Sequence, residues 1–329
     1  MKAVKWGVLG VAGIFRKKVY LPGRDSGLVE WGAIASRSKE KAQEAAARYK
    51  MPKAYGSYEE LLADREIEAV YIPLPNNLHL EWIKKAADAG KHVLCEKPLA
   101  RSAAEVREAV EYCGRKGVLL MEAFMYRFHP QWIHARDVIR SGGIGAVRAV
   151  QSAFFYNNPD PKNIRNRTDT AGGALYDIGC YNVSSTRLLM DTEPTRALSL
   201  IIRHPEWGTD TLSSAILDFG DAQATLTAGT LTYPHQHVLV FGSSGKIEFE
   251  VPFTPHADVP ALTMVTDSGG TRDVYFDPVD QYGEELEAFS LAIRGQELDL
   301  LTPVSDALAN QRVLDALFAS EQLGGWQEV

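Results

Sequence analysis

Through residue 124 the chain alternates short apolar, β-branched runs with stretches of helical spacing, and no other feature narrows its fold as much. The runs fall at 4–9, 29–35, 69–74, 92–95 and 118–121, with helical stretches such as 39–49, 78–89 and 103–116 between them. Parallel strands need a crossover to return the chain, and a helix usually supplies it, so this rhythm predicts an α/β unit on a parallel sheet. After residue 124 the grammar changes. A helix is predicted over 130–141, a strand over 147–156 and another helix over 173–190. From 195 to 276, strands broken by Gly220, Gly242, Gly245 and Gly269 predict a mostly antiparallel sheet, built as a meander, and helices over 283–294 and 304–323 close the chain. Two domains follow, 1–124 and 125–329, the second of α+β type.

Composition excludes partners more than it selects them. A net charge of -7 over 329 residues disfavours nucleic acid and anionic membranes, which both reward a basic surface. No apolar run approaches the length of a membrane span. A strand pattern that begins at Ala3 leaves no room for an export signal. Cys95, Cys113 and Cys180 are odd in number and lack CxxC spacing, so free thiols and a cytoplasmic location are expected. His235 and His237 share a strand face without a carboxylate or cysteine at ligand spacing, and no metal site is expected.

The first apolar run leads directly into Gly10, Val11, Ala12, Gly13, Ile14 and Phe15. A dinucleotide fingerprint asks for glycine at the turn, a small residue where backbone meets the pyrophosphate, and a small residue where helix packs on strand. Gly10 and Ala12 meet the first two demands; Phe15 departs from the third and predicts looser packing. At the end of the second run, where an NAD-selective site places an acidic residue, stand Ser36 and Arg37, a donor and a cation suited to a 2′-phosphate. NADP(H) is the expected cofactor, with NAD(H) as a weaker alternative.

The run at 69–74 ends in Pro73, Leu74, Pro75, Asn76 and Asn77, at the carboxyl edge of the sheet where α/β proteins bind ligands. The two asparagines are good helix caps, and His79 is placed to meet the nicotinamide ribose. The next run ends in Glu96, Lys97 and Pro98. A lysine ending a central parallel strand is costly unless solvated or used. Beside a nicotinamide it would orient a substrate hydroxyl, with Glu96 holding a ribose or the lysine itself; a structural ion pair is the competing explanation.

These segments, with 121–130, 163–165, 172–181, 242–253 and 281–289, resemble the Gfo/Idh/MocA oxidoreductases over nearly the whole chain. The resemblance implies a Rossmann domain followed by an α+β domain whose open sheet makes homodimer or homotetramer contacts. It implies a cofactor site of Gly10, Ala12, Gly13, Ile14, Ser36, Arg37, Pro73, Leu74, Asn76, His79, Glu96, Lys97 and Arg165. The family's catalytic lysine falls on Lys97, and its second-domain motif on Asp177 and Tyr181, whose spacing puts both on one helix face. Tyrosine at 181, where many members have histidine, is similar to the branch that acts on sugars and dihydrodiols. Arg127, Tyr156, Asn158 and Tyr282, at loop or edge positions, are the substrate candidates.

A free tyrosine, with a pKa near ~10, is a poor base at neutral pH, and Lys97 with the oxidised nicotinamide would lower it by charge proximity. Tyr181 would take the hydroxyl proton as hydride leaves the same carbon, while Asp177 accepts from a neighbouring hydroxyl. The expected activity is an NADP-dependent oxidoreductase that moves hydride between nicotinamide and a hydroxyl-bearing carbon of a sugar or cyclic diol. Its rivals are a cofactor-retaining aldose–aldose oxidoreductase and a non-catalytic NADP sensor; the latter is expected to have lost Lys97, Asp177 or Tyr181, and all three are present.

Overall fold

The computed structural model describes residues 1–296 and 302–329, and the chain divides into two compact units: Met1–Phe128 with Asp280–Ala307, and His129–Val279 with Leu308–Val329. Among the described residues of the first unit, β1 (Val4–Leu9), β2 (Val29–Ala35), β3 (Lys53–Tyr55), β4 (Ala69–Ile72), β5 (His92–Glu96) and β6 (Leu120–Ala123) form a parallel sheet. Its order is β3-β2-β1-β4-β5-β6. The order reverses between β1 and β4, the switch point at which such sheets bind ligands. The short β3 has no apolar run to announce it; its three residues are half-buried at the sheet edge.

The connecting helices are α1 (Tyr20–Asp25), α2 (Lys39–Arg48), α3 (Tyr58–Leu62), α4 (His79–Asp88) and α5 (Ala103–Lys116). Ser38, Ser57 and Ser102 cap α2, α3 and α5, each accepting from the amide three residues on. Phe15, expected to loosen the first turn, is instead fully buried, edge-on to Trp31 at 5.0 Å and to Tyr49 at 5.4 Å. The Phe15–Val19 segment is a π-helical turn, a widening that gives the ring a place among aromatic neighbours.

The second unit opens with α6 (Pro130–Arg140), followed by β7 (Val147–Asn157). A π-helical turn, Leu175–Gly179, then runs into α7 (Cys180–Met190). The strands β8 (Arg196–Arg203), β9 (Asp210–Asp218), β10 (Gln223–Gly229), β11 (Leu231–Gly242), β12 (Lys246–Phe249), β13 (Ala261–Asp267) and β14 (Gly270–Phe276) follow. With the terminal β15 (Gln327–Glu328) they order as β14-β13-β12-β11-β7-β10-β9-β8-β15. Pairing is antiparallel except that β10 lies parallel to β7, so the sheet is not a pure meander: the chain passes through α7 before it returns beside β7. Alternation buries Val150, Leu217, Ala224, Val238 and Val240 on one face. The opposite face carries Leu200, Ile202 and Ile216 in the open.

By sequence everything after 124 belongs to one domain, whereas the contacts return α8 (Gln281–Ile293) to the first unit. Its Leu286 and Phe289 are buried in the core with Trp6, Phe15, Trp31 and Tyr71, and Trp6 Nε1 donates to Ser290 Oγ at 3.3 Å. Most of α9 (Val304–Leu323) belongs to the second unit, where Ser199 Oγ donates to the Leu317 carbonyl at 2.6 Å. The three cysteines are buried and unbridged; burial holds the Cys95 thiol well above its ordinary range and pushes Cys113 up to about 11. No described helix is long and apolar enough to cross a membrane.

Candidate active site

At the end of β1, Gly10 has φ 115, a conformation that a side chain would strain. A Cβ there would lie 3.1 Å from Leu74 Cδ2 and 3.7 Å from the Tyr58 hydroxyl, so the turn, the loop after β4 and α3 converge. A Cβ on Gly13 would meet no atom within 4 Å; the backbone is open on that side, as a diphosphate requires. Ala12 and Ile14 share this turn. Gly10 N donates to the Ala35 carbonyl at 2.9 Å, which sets the end of β2, with half-buried Ser36 and exposed Arg37, beside it. The Arg37 charge opposes the upward push that burial gives the Tyr58 hydroxyl. An open glycine turn flanked by a hydroxyl and a cation fits NADP.

The loop after β4 departs from expectation in detail. Neither asparagine caps a helix: the N-cap positions fall on Pro75, before the short 3-10 turn Asn76–Leu78, and on Leu78, before α4. His79 is fully buried, with Nδ1 2.9 Å from the Pro98 carbonyl and Nε2 2.8 Å from the Leu74 carbonyl. Both ring nitrogens face backbone carbonyls, and a neutral ring can donate to only one of them. Neither is turned toward a ribose, which corrects the expected contact. The ring instead ties the Pro73–Leu74 segment to the Lys97–Pro98 segment, and burial pulls its pKa down. Glu96 Oε1 accepts from the Tyr71 hydroxyl at 2.5 Å. Burial, then the charge of Glu96, holds that hydroxyl firmly protonated. The same two causes, burial first and then the charge of Glu96, push buried Glu285 on α8 well above the usual carboxylate range.

Two substrate candidates of the first unit are accounted for structurally. Arg127 is 2 % exposed, pairs with Asp306 at 2.8 Å and donates from Nε to the Tyr126 hydroxyl at 3.2 Å. It is an interior ion pair rather than the substrate contact expected of it. Tyr282 is half-buried against the first unit's core, its amide donating to Asp280 Oδ1 at 3.0 Å.

In the second unit, strand alternation puts Phe154 and Tyr156 on the same face of β7, toward the turn that leads into α7. Tyr156 Oη donates to Asp177 Oδ2 at 2.6 Å, and Arg165 Nε donates to Asp177 Oδ1 at 2.9 Å. Arg165, expected at the cofactor, therefore grips Asp177. Burial and then the Asp177 charge raise the Tyr156 pKa, so Tyr156 stays a donor. Four residues on, the buried Tyr181 ring meets Phe154 at 5.7 Å and Phe253 at 5.5 Å, and those two rings stack on each other at 5.1 Å. Asn158 shapes a loop: its amide donates to the Thr230 carbonyl at 2.9 Å, and its carbonyl accepts from Asn166 Nδ2 at 2.8 Å.

A family model described as an oxidoreductase family with NAD-binding Rossmann fold matches residues 4–124, and one described as a GFO/IDH/MocA C-terminal domain matches residues 132–248. The chain is 40% identical to D-xylose 1-dehydrogenase (NADP(+)) 2 of Haloferax volcanii, over 98% of this chain and 99% of that protein. It is 34% identical to trans-1,2-dihydrobenzene-1,2-diol dehydrogenase of Xenopus laevis over 75% of each. A solved structure of a 3-ketoreductase from Actinomadura kijaniata, in complex with NADP and TDP-benzene, superposes with a TM-score of 0.89 at 29% identity, covering 96% of this chain and 97% of that one.

Proposed function

Because the chain belongs to the GFO/IDH/MocA oxidoreductase family and is an NADP-dependent oxidoreductase of sugar or cyclic-diol hydroxyls, we propose that Lys97, Asp177 and Tyr181 carry its chemistry. NADP, when bound, supplies the hydride acceptor for oxidation and the hydride donor for reduction. Tyr181 takes the proton of the reacting hydroxyl at Oη and returns it in reduction. Lys97 orients that hydroxyl through its ammonium. Asp177 accepts from the neighbouring hydroxyl, its carboxylate kept in one orientation by Tyr156 and Arg165. One oxygen of Asp177 is held by each donor, and the Tyr181 ring is packed edge-on against the stacked pair Phe154 and Phe253; this immobilisation of both groups on one helical run carries the assignment.

For the cofactor we assign Gly10, Ala12, Gly13 and Ile14 to the diphosphate and Ser36 with Arg37 to the 2′-phosphate, with Pro73, Leu74, Asn76 and Glu96 serving the nicotinamide half. Similarity to a D-xylose 1-dehydrogenase over nearly the full length supports an aldose 1-dehydrogenase that exchanges its cofactor. The first unit then serves the cofactor and the second the substrate. The exposed Leu200, Ile202 and Ile216 support pairing with a second copy through the open face of the second sheet, and three unbridged thiols suit the cytoplasm.

NADPH formation or consumption, followed by absorbance with a panel of aldoses, anhydro-sugars and diols, tests the reading. Turnover of an aldose is expected; tight NADPH binding with no turnover of any of them would sink it. Tyr181→Phe should lower kcat by about 10³-fold and leave NADPH affinity within about twofold, since only the proton transfer is lost.

A further inference from the structure

We infer that Asp210, at the start of β9, is a positioning residue that fixes the turn bearing Asp177 and Tyr181. This rests on the roles proposed above for those two residues. The first amides of a helix have no acceptor within it, and a buried start needs one from elsewhere. Ala174, at the cap position of the Leu175–Gly179 turn, has no side chain that accepts, and both Ala174 and Leu175 are buried away from water. Asp210, itself 2 % exposed and 35 positions along the chain from Leu175, supplies the acceptor: Oδ2 takes the Leu175 N–H at 2.6 Å and the Ser213 hydroxyl at 2.9 Å. A carboxylate there also faces the positive end of the helix. Burial raises its pKa, and the two donors draw it back.

The same contact explains Gly172 and Gly173. Gly173 has φ 125, and a Cβ on it would lie 1.9 Å from Asp210 Oδ1. A Cβ on Gly172 would lie 2.4 Å from the Arg165 carbonyl, the group that accepts from Gly173 N at 2.8 Å. Two residues without side chains let the chain be gripped between that carbonyl and the Asp210 carboxylate. Asp177 follows Leu175 by two residues and Tyr181 by six, so a displacement at Leu175 passes to both. Displacing a reacting group by about 1 Å costs on the order of 10²-fold in rate.

The test compares Asp210→Ala and Asp210→Asn with the unaltered protein, using the aldose that turns over fastest. Asp210→Ala is expected to lower kcat about 10²-fold while NADPH affinity stays within about twofold. Asp210→Asn keeps an acceptor oxygen in place and is expected to recover kcat to within about fivefold. An alanine variant with native kcat, or an asparagine variant as slow as the alanine one, overturns the assignment. Amide hydrogen exchange on the unaltered protein decides the matter even if the alanine variant does not fold. Leu175 is expected to exchange slowly for a first-turn amide, and rapid exchange overturns the role of Asp210. Tyr181→Phe keeps the two ideas apart: full turnover there would remove the role of Tyr181 but leave the Leu175 exchange result standing.

Discussion

A single side chain can be assigned a chemistry from sequence far more easily than a partner. Arg127 was legible as a cation beside the site and His79 as a loop histidine, yet Arg127 pairs with Asp306, 179 positions away, and His79 is enclosed between two backbone carbonyls. Asp210 carries no local signal at all, because its partner amide lies on a different element. His129 gives a prediction at this scale. It caps α6, its Nδ1 accepting from the Gln131 amide at 3.2 Å, and burial pulls its pKa from 6.5 to about 4. The folded value lies below the unfolded one, so between pH 6.5 and about 4 only the unfolded chain takes up the proton. Stability is then complete above that window and falls as pH drops through it, by about 3 kcal/mol in all. His129→Asn keeps a capping oxygen and should flatten the dependence. Urea midpoints of both proteins at pH 7 and pH 4.5 check this; equal acid shifts in the two would discard it.

Whole elements were far easier to recognise. The spacing alone located β1 and β2 to the residue and α5 to its caps, because a parallel strand buried on both faces must be continuously apolar. What escaped was too short to show a period of its own: the three residues of β3, the short helices α1 and α3, and the π-helical turns at Phe15–Val19 and Leu175–Gly179. Both π turns lie where the sequence had placed function, one after the glycine turn and one at Asp177, as widened turns often do. The junction of β2 with α2 yields its own test. Arg37→Ala removes the cation assigned to the 2′-phosphate and should weaken NADPH binding by about 10- to 100-fold, the value of a hydrogen bond to a charged group. NADH affinity should stay within about twofold, because that cofactor has no such phosphate. Fluorescence titration with both nucleotides measures the difference, and parallel losses for the two would refute the assignment.

For the molecule as a whole, sequence pattern conveyed the two architectures but not the membership of α8, whose Leu286 and Phe289 are buried in the first unit's core although the chain has already built the second sheet. Such returns are set by complementarity between distant apolar surfaces, which periodicity does not report. The open face of the second sheet predicts a self-associating protein. Leu198 pairs with Ile216 and Ile202 with Leu212, and with Leu200 they make a largely apolar stretch interrupted by Ser214. Ile202→Glu should shift sedimentation from an oligomer to a monomer while leaving the circular dichroism spectrum unchanged, and an unaltered oligomer would place the interface elsewhere. The sheltered sulfurs described above have a practical consequence. Cys95, Cys113 and Cys180 are all buried, and at least the first two are kept from ionising, so alkylating reagents will pass the native protein by. A cysteine introduced at exposed Glu44 on α2 would then accept a dye or a spin label at one known place, with no need to strip the natural sulfurs first.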